Sequence, residues 1–338
     1  MENVALTETQ LDEVLRRCGS SNAMHSFAAT HELAKALELP LRKGIMSGDI
    51  LNGVYNPIDM KGGVPEFPLD FLSPGTEKDF VAYTMPQHGR VPERSVEGDY
   101  VMVTTYSIAN SIDWLLRYAE NARWDVVGRA MEVLEAGFVK KMNDDGWQTL
   151  LSAGADRNIV VYDGDGNTGQ FTKRFVSLMK VVMRRNGGGN STSQNRGMLT
   201  DLYVSPECIE DIRNWGIDLL DEFTRREVYL NADDNGQGGL YAMRLFGVQL
   251  HALDELGEHQ EFQDFYTNQL GAAFASGKVE LVVGLDRRHT DSFVMPVKKN
   301  IELFEDPLLH RQQRAGVYGW GEFGFGVLDN RRVILGNV

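Results

Sequence analysis

The densest set of metal-binding side chains in the sequence is His251-Ala-Leu-Asp254-Glu255-Leu-Gly-Glu258-His259. On a helix, positions 251, 254, 255, 258 and 259 would share one face, and two imidazoles beside three carboxylates could hold a metal ion. Gly257 and the β-like run Phe246-Gly-Val-Gln-Leu250 argue against that helix. A metal-dependent enzyme using His251, Asp254, Glu255, Glu258 and His259 is therefore the alternative from another functional class. Asp163-x-Asp165-x-Asn167 imitates the start of a calcium loop, but Thr168 stands where such a loop needs Gly, and Arg174 where it needs Glu. A polar turn is expected there. Gly187-Gly-Gly189 lacks the Lys and Ser/Thr of a phosphate cradle and reads as a linker. Gly316, Gly319, Gly321, Gly324 and Gly326, interleaved with Tyr318, Trp320, Phe323 and Phe325, suit close-packed strands better than a nucleotide site. No Ser or Cys sits in a nucleophile elbow, and neither Cys18 nor Cys208 has an adjacent His. No catalytic residue, metal or cofactor is expected.

The elements around these residues are of several kinds. Weak amphipathic helices over Glu8–Cys18 and Ala28–Leu39, followed by Pro40, Gly44, Gly48 and Gly53, suggest an arm. From Gly62 to Tyr106, prolines punctuate the β-prone runs Phe80–Thr84 and Tyr100–Thr105, which the polar turn Gln87–Asp99 would join into an extended hairpin. An isolated hairpin is marginal in water, so this one is expected to lie on something else, a neighbouring subunit being a good candidate. Ser107–Asn143 reads as one helix of about 36 residues, roughly 54 Å long. Its apolar stripe would be Ile108, Ile112, Leu115, Ala119, Ala122, Val126, Ala130, Val133 and Gly137, with Asn143-Asp-Asp-Gly146 as its end. Its other faces carry mixed charge, including Arg117 and Arg123, which suits water or a polar neighbour better than a substrate. A short strand over Ile159–Tyr162, a helix over Phe171–Arg185 and a loop over Asn186–Ser193 follow. From Thr200 an α/β unit is expected: strand Asp201–Val204, a helix opened by Ser205-Pro206-Glu207, a helix over Leu219–Arg226, and strands around Gly247–Leu250 and Val279–Gly284. The last fifty residues return to β character in Ser292–Pro296, Asn300–Phe304 and Gly324–Ile334.

With 338 residues, 42% of them hydrophobic, the chain can bury one large or two moderate cores. Two distant cysteines suggest neither a disulfide framework nor zinc, and fit a reducing cytoplasm. No signal-peptide pattern and no long apolar run is present, so neither export nor membrane insertion is expected. The net charge of −14 argues against general high-affinity DNA binding. Its distribution says more. Residues 201–285 hold sixteen acids and five bases, whereas 171–200 hold Lys173, Arg174, Lys180, Arg184, Arg185 and Arg196 and no acid. Opposite blocks on one chain suggest intersubunit contacts or two surfaces in different surroundings.

Taken in order, these segments resemble the major capsid proteins of tailed double-stranded DNA bacteriophages, the Hong Kong 97 capsid fold. The stretches that carry the resemblance are 107–119, 122–126, Gly137-Phe-Val-Lys-Lys-Met-Asn-Asp-Asp-Gly-Trp147, Leu202-Tyr-Val-Ser-Pro206 and the run from Arg314 to Gly336. It implies an α+β fold with an N-terminal arm (1–61), an extended β-hairpin loop (62–106) and a peripheral domain (107–199) containing a spine helix (107–143). An axial domain (200–285) and a β-rich return to the peripheral domain (286–338) complete it. The implied role is structural: pentamers and hexamers of this chain in an icosahedral virion shell, assembled in the bacterial host cytoplasm.

The resemblance further implies portal and scaffolding proteins as partners, a decoration protein as a further candidate, no membrane, and packaged DNA touched weakly and without sequence specificity. An encapsulin-type nanocompartment shell is the alternative on the same fold. Intersubunit contacts are expected at Lys78, Arg90, Arg94, Arg117, Arg123, Lys173, Arg174, Arg184 and Arg185. Some relatives seal the shell with an isopeptide bond from an extended-loop lysine; here Lys78 is the only lysine in 63–106 and sits between Glu77 and Asp79, so no crosslink is expected. A 61-residue arm leaves little room for a removable scaffolding segment, which favours a separate scaffold or the arm itself as the assembly aid.

Overall fold

The computed structural model describes residues 8–20, 22–47, 53–60, 63–68, 100–121, 124–167, 169–185, 197–215, 243–288, 292–306 and 308–338. In chain order they form α1 (Glu8–Cys18), α2 (Ala23–Ser47), β1 (Asn56–Asp59), β2 (Glu66–Pro68), β3 (Tyr100–Met102), β4 (Tyr106–Leu115), α3 (Leu116–Glu120) and α4 (Trp124–Asp156). Next come β5 (Val160–Tyr162), α5 (Lys173–Arg185), β6 (Asp201–Val204), α6 (Pro206–Asn214), β7 (Met243–Leu245) and β8 (Val248–Ala252). The last strands are β9 (Leu281–Leu285), β10 (Phe293–Glu305), β11 (Arg314–Phe323), β12 (Gly326–Val327) and β13 (Val333–Asn337). They gather into two compact units, one drawn from within Met1–Glu66, Met102–Gly146 and Val294–Gly326, the other from within Phe67–Val101, Trp147–Phe293 and Val327–Val338. The division falls at Gly146/Trp147, inside α4. The reason is pairing: β5 joins the same sheet as β6 and β9, and α5 packs on that sheet.

In the first unit a sheet runs in the order β1-β10-β11-β4, with β12 beside β10. The expected helix over 107–143 is corrected here. Residues 106–115 are a strand, and the long helix begins only at Trp124 and continues to Asp156. Ile108, Ile112 and Leu115 satisfy a helical spacing, but Ile108 and Trp114 are buried while Ser107, Ala109, Ser111 and Asp113 are exposed, an alternation of period two. β11 decides the matter by pairing antiparallel along the whole of β4, from Arg314 opposite Leu115 to Phe323 opposite Tyr106.

The buried stripe of α4 in this unit is Val127, Met131, Leu134, Phe138 and Met142, one position on from the expected one, and Val133 is 58% exposed. Gly137 lets β4 approach this helix: a Cβ there would lie 2.5 Å from Asn110 Nδ2, which donates to Leu134 O at 3.2 Å. α2 is continuous through Pro40 and Gly44, where a stop was expected, and Leu41 is buried just beyond the proline. α1 packs on α2 through Leu15, Cys18, Ala29 and Leu33. Tyr100–Met102 pairs with Glu66–Pro68; its expected partner, Phe80–Thr84, lies outside the described residues, as does Leu219–Arg226.

In the second unit a mixed sheet runs β5-β13-β9-β6-β8-β7. One face meets α5 and α6: Phe175, Val176, Met179 and Met183, with Cys208, Ile209 and Ile212, pack on Leu202, Val204, Leu250, Val282 and Ile334. The other face meets the end of α4. Trp147, wholly buried, stands edge-on to Tyr203 at 4.7 Å and lies 5.9 Å from Phe262. Burying Trp147, Leu150 and Leu151 outweighs the helix penalty of Gly146, about 1 kcal/mol, so the expected terminator does not terminate. Ser205 caps α6 as expected, its Oγ accepting from Cys208 N at 3.2 Å.

Candidate functional site

The cluster 251–259 does not form a helical face. His251 lies on β8, Asp254 and Glu255 on a single 3₁₀ turn, and Glu258 and His259 on an exposed turn in which His259 has φ 57°. His251 Nε2 is 2.8 Å from Asp201 Oδ1, and its ring stacks on Tyr203 at 4.7 Å. Arg287 Nη1 donates to the same Asp201 oxygen at 2.9 Å. Burial opposes the charge of Asp201, but hydrogen bonds from His251, Thr200 and Arg287 prevail and hold its carboxyl below the usual range. His251 is thus the partner of a buried carboxylate. Among the described residues no group of three or more His, Cys, Asp and Glu could hold a metal ion.

The calcium-like turn is filled by the protein's own cations. Lys278 Nζ donates to Gly166 O at 3.0 Å and Asn167 O at 3.4 Å, while Arg174 bonds Asp165 and lies 3.8 Å from Asp163. Asp163 also accepts from Thr172 Oγ1 at 2.8 Å and Asp165 N at 3.2 Å, so its oxygens are committed to the fold. The cysteines are buried thiols. Burial pushes Cys18 up to about 11 and, with the Glu280 carboxylate beside it, pushes Cys208 well above the ordinary thiol range. Neither is poised as a nucleophile.

Of the residues expected at intersubunit contacts, Lys78, Arg90, Arg94 and Arg123 lie outside the described residues. Arg117 is exposed on α3, 5.1 Å above the Tyr118 ring, in the first unit. Lys173, Arg174, Arg184 and Arg185 come together on α5, whose Phe175, Val176, Met179 and Met183 turn inward. Their surroundings differ. Lys173 lies 6.0 Å over Trp215, Arg174 is held by the acidic turn, and the nearby Lys180 donates to Phe246 O at 2.7 Å. Arg184 and Arg185 are exposed and form no ion pair with a described residue.

Two surfaces of the first unit were not singled out from the sequence. β4 is an edge strand of ten residues, paired among the described residues only with β11. Leu116 N donates to Gln313 O in continuation of the ladder, so even-numbered residues turn their main-chain groups to β11 and Ser107, Ala109, Ser111 and Asp113 turn theirs outward. The other edge, β1, has four residues and carries Pro57, a blunted edge by comparison. Beside the open edge, on the same side as those odd-numbered side chains, Phe304, Tyr318 and Trp320 stack, and Lys299 Nζ sits 3.5 Å above Trp320. The alternation of Tyr318 and Trp320 with glycine was the available signal.

No protein-family model matches the chain, and no curated protein does. Solved structures do. A chain of Microbacterium phage Oxtober96 superposes with a TM-score of 0.55 at 10% identity, over 86% of this chain and 90% of that one. The Cyanophage Pam1 capsid asymmetric unit gives 0.54 at 14% identity, over 80% and 83%. The capsid of an empty GTA particle gives 0.53 at 11% identity, over 85% and 88%. At such identities the shared property is architecture, and it extends over most of each chain. The protein therefore has the α+β, Hong Kong 97-like fold of phage capsid subunits.

Proposed function

We propose that this chain is the major capsid subunit of a tailed phage, a structural protein that assembles into an icosahedral shell around double-stranded DNA. The observation that carries the proposal is the superposition on capsid subunits over at least four-fifths of both chains. The β4 edge, paired among the described residues only with β11, supports it, since a long edge strand offers main-chain groups to another chain. On this reading residues 1–61 act as an arm and 62–106 as a loop reaching a neighbour, while the unit containing β6 and α6 faces the symmetry axes of pentamers and hexamers. Portal and scaffolding proteins act as assembly partners, and a decoration protein is a further candidate. DNA is enclosed with weak, non-specific contact because an acidic wall repels it diffusely. The protein resides in the virion and assembles in the host cytoplasm.

Sedimentation velocity over a range of protein concentrations tests the proposal. Mass action should convert slow species of a 37.9 kDa chain into capsomers or shells as concentration rises. A single slow species at every concentration would count against it. Nuclease-protected duplex DNA in particles made with the other gene products of the same genome distinguishes a genome shell from an enzyme-storing compartment.

A further inference from the structure

Trp320 and Trp215 are both part exposed, and they differ in what stands over the ring. At Trp320 the Lys299 ammonium sits 3.5 Å from the ring centre and closes that face. At Trp215 the Lys173 ammonium is 6.0 Å from the centre, the outer limit of a cation–π contact, so it stands off the ring. One side of the Trp215 indole lies parallel to the buried Phe171 ring, at 6.1 Å and 6°. The remainder lines a cleft of about 430 Å³ together with Gln170, Lys173, Asp211 and Asn214. Local folding fixes this platform. Trp215 ends α6, its main-chain N–H donating to Ile212 O at 3.3 Å, and its Nε1 donates to Phe171 O at 3.0 Å. Asp211, one turn earlier on α6, accepts from Phe171 N through Oδ2 at 2.8 Å. Phe171 is thus clamped through both of its main-chain groups, and Thr172 beside it caps α5 by accepting from Phe175 N at 3.1 Å. A cleft held in this way binds without first being ordered.

Because the indole N–H is committed to Phe171, what Trp215 offers the cleft is apolar ring. Around it stand the donors Lys173 Nζ, Gln170 Nε2 and Asn214 Nδ2 and the acceptors Asn214 Oδ1 and Asp211 Oδ1, none with a hydrogen-bond partner among the described residues. The charges balance. Lys173 is offset by Asp211, and Arg174 at the margin already bonds Asp165 and lies 3.8 Å from Asp163. An anionic ligand would meet Asp211, and a cationic one Lys173. A neutral pyranose suits both, since it has an apolar C–H face to lie on the indole and a rim of hydroxyls that each donate and accept. We infer that this cleft binds a pyranose residue of a neutral oligosaccharide, stacked on Trp215 with its hydroxyls bonded to Lys173, Asp211 and Asn214. The site lies wholly within the second unit and belongs to the single chain, so it stands whether or not copies assemble. Single-stranded nucleic acid also uses aromatic platforms, but it needs a groove of free cations along its backbone. Here α6 carries exposed Glu207 and Glu210 as well as Asp211.

Titration calorimetry of the full chain with cellotetraose, mannotetraose and N-acetylchitotetraose tests this. At least one of the three should bind at a single site per chain. Its dissociation constant should change by less than about twofold between low salt and about 0.5 M salt, because the ligand carries no charge. Trp215→Ala should weaken that binding by about tenfold or more. Trp215 also packs against the core, so Asn214→Ala is the second variant. Asn214 is exposed; its replacement should melt as the unmodified chain does and weaken binding by about three- to tenfold. Trp320→Ala, at the ring closed by Lys299, should leave binding unchanged. Absence of binding to all three oligosaccharides would overturn the inference, as would binding that Asn214→Ala leaves unaltered. So would tighter, salt-sensitive binding of a thymidine oligonucleotide that Trp215→Ala abolishes, because the platform would then serve bases.

Discussion

The two units treat their sheets differently. In the second, β9 and β13 are buried at every position because helices cover both faces, and even the charges are matched inside: Asp286, fully buried, accepts from Met198 N, Arg288 and Arg332. In the first, α4 covers one face, while the opposite side keeps a half-exposed aromatic row and, among the described residues, an edge strand paired only with β11. The second unit has the interior of a self-sufficient domain. Among the described residues the first leaves the outward side of β4 without a strand partner and its aromatic row half exposed, as expected of a part completed by a neighbour.

The largest effects should therefore arise in the second unit. Trp147→Ala removes the ring between Tyr203 and Phe262 and should cost about 3–5 kcal/mol, seen as a lower urea midpoint. Asp286→Asn removes the buried carboxylate that Arg288, Arg332 and Met198 N share and should cost about 3–5 kcal/mol at pH 7. That second loss should depend on pH. Burial opposes the Asp286 charge, but hydrogen bonds from Arg288 and Met198 prevail and place its folded pKa below the ordinary value. Its stabilisation is thus complete above the unfolded carboxyl pKa of about 3.9 and is lost as pH falls through the lower folded value. Urea titrations at pH 7 and pH 3 should show the unmodified chain and Asp286→Asn converging in acid. A constant gap would contradict the assignment.

Two glycine substitutions give a finer comparison. A Cβ at Gly284 in β9 would lie 2.6 Å from Leu199 Cδ1 and 2.8 Å from Ile334 Cγ2, so Gly284→Ala should cost about 1–3 kcal/mol by overpacking. Gly128 in α4 has nothing within 4 Å of such a Cβ, and Gly128→Ala should stabilise by about 0.5–1 kcal/mol through helix propensity. Thermal melts would register opposite shifts. The smallest effect on the isolated chain should come from Trp320→Ala on the half-exposed row, under about 1 kcal/mol. If that substitution destabilises the isolated chain as much as Trp147→Ala, the contrast between the units is wrong.

Local signals in the sequence were sufficient where one short segment decides its own structure. Ser205-Pro206-Glu207 opened a helix, Glu8–Cys18 was one, and Asp201–Val204 was a strand. They were insufficient where a distant segment decides. Ile108 and Ile112 fit both periodicities until β11, two hundred residues on, pairs with them. The ligand-like cluster had the same difficulty, because the partner of His251 is Asp201, fifty residues earlier. The basic character of 171–185 was plain, but which cations remain unengaged depends on Asp163, Asp165, Trp215 and Phe246, all outside that stretch.

The most direct test of the central claim is negative-stain electron microscopy of the purified full chain across protein and salt concentration. Rings of five and six copies or closed shells are expected, increasing with concentration and receding as salt screens the exposed contacts. A small globular particle under every condition would contradict it.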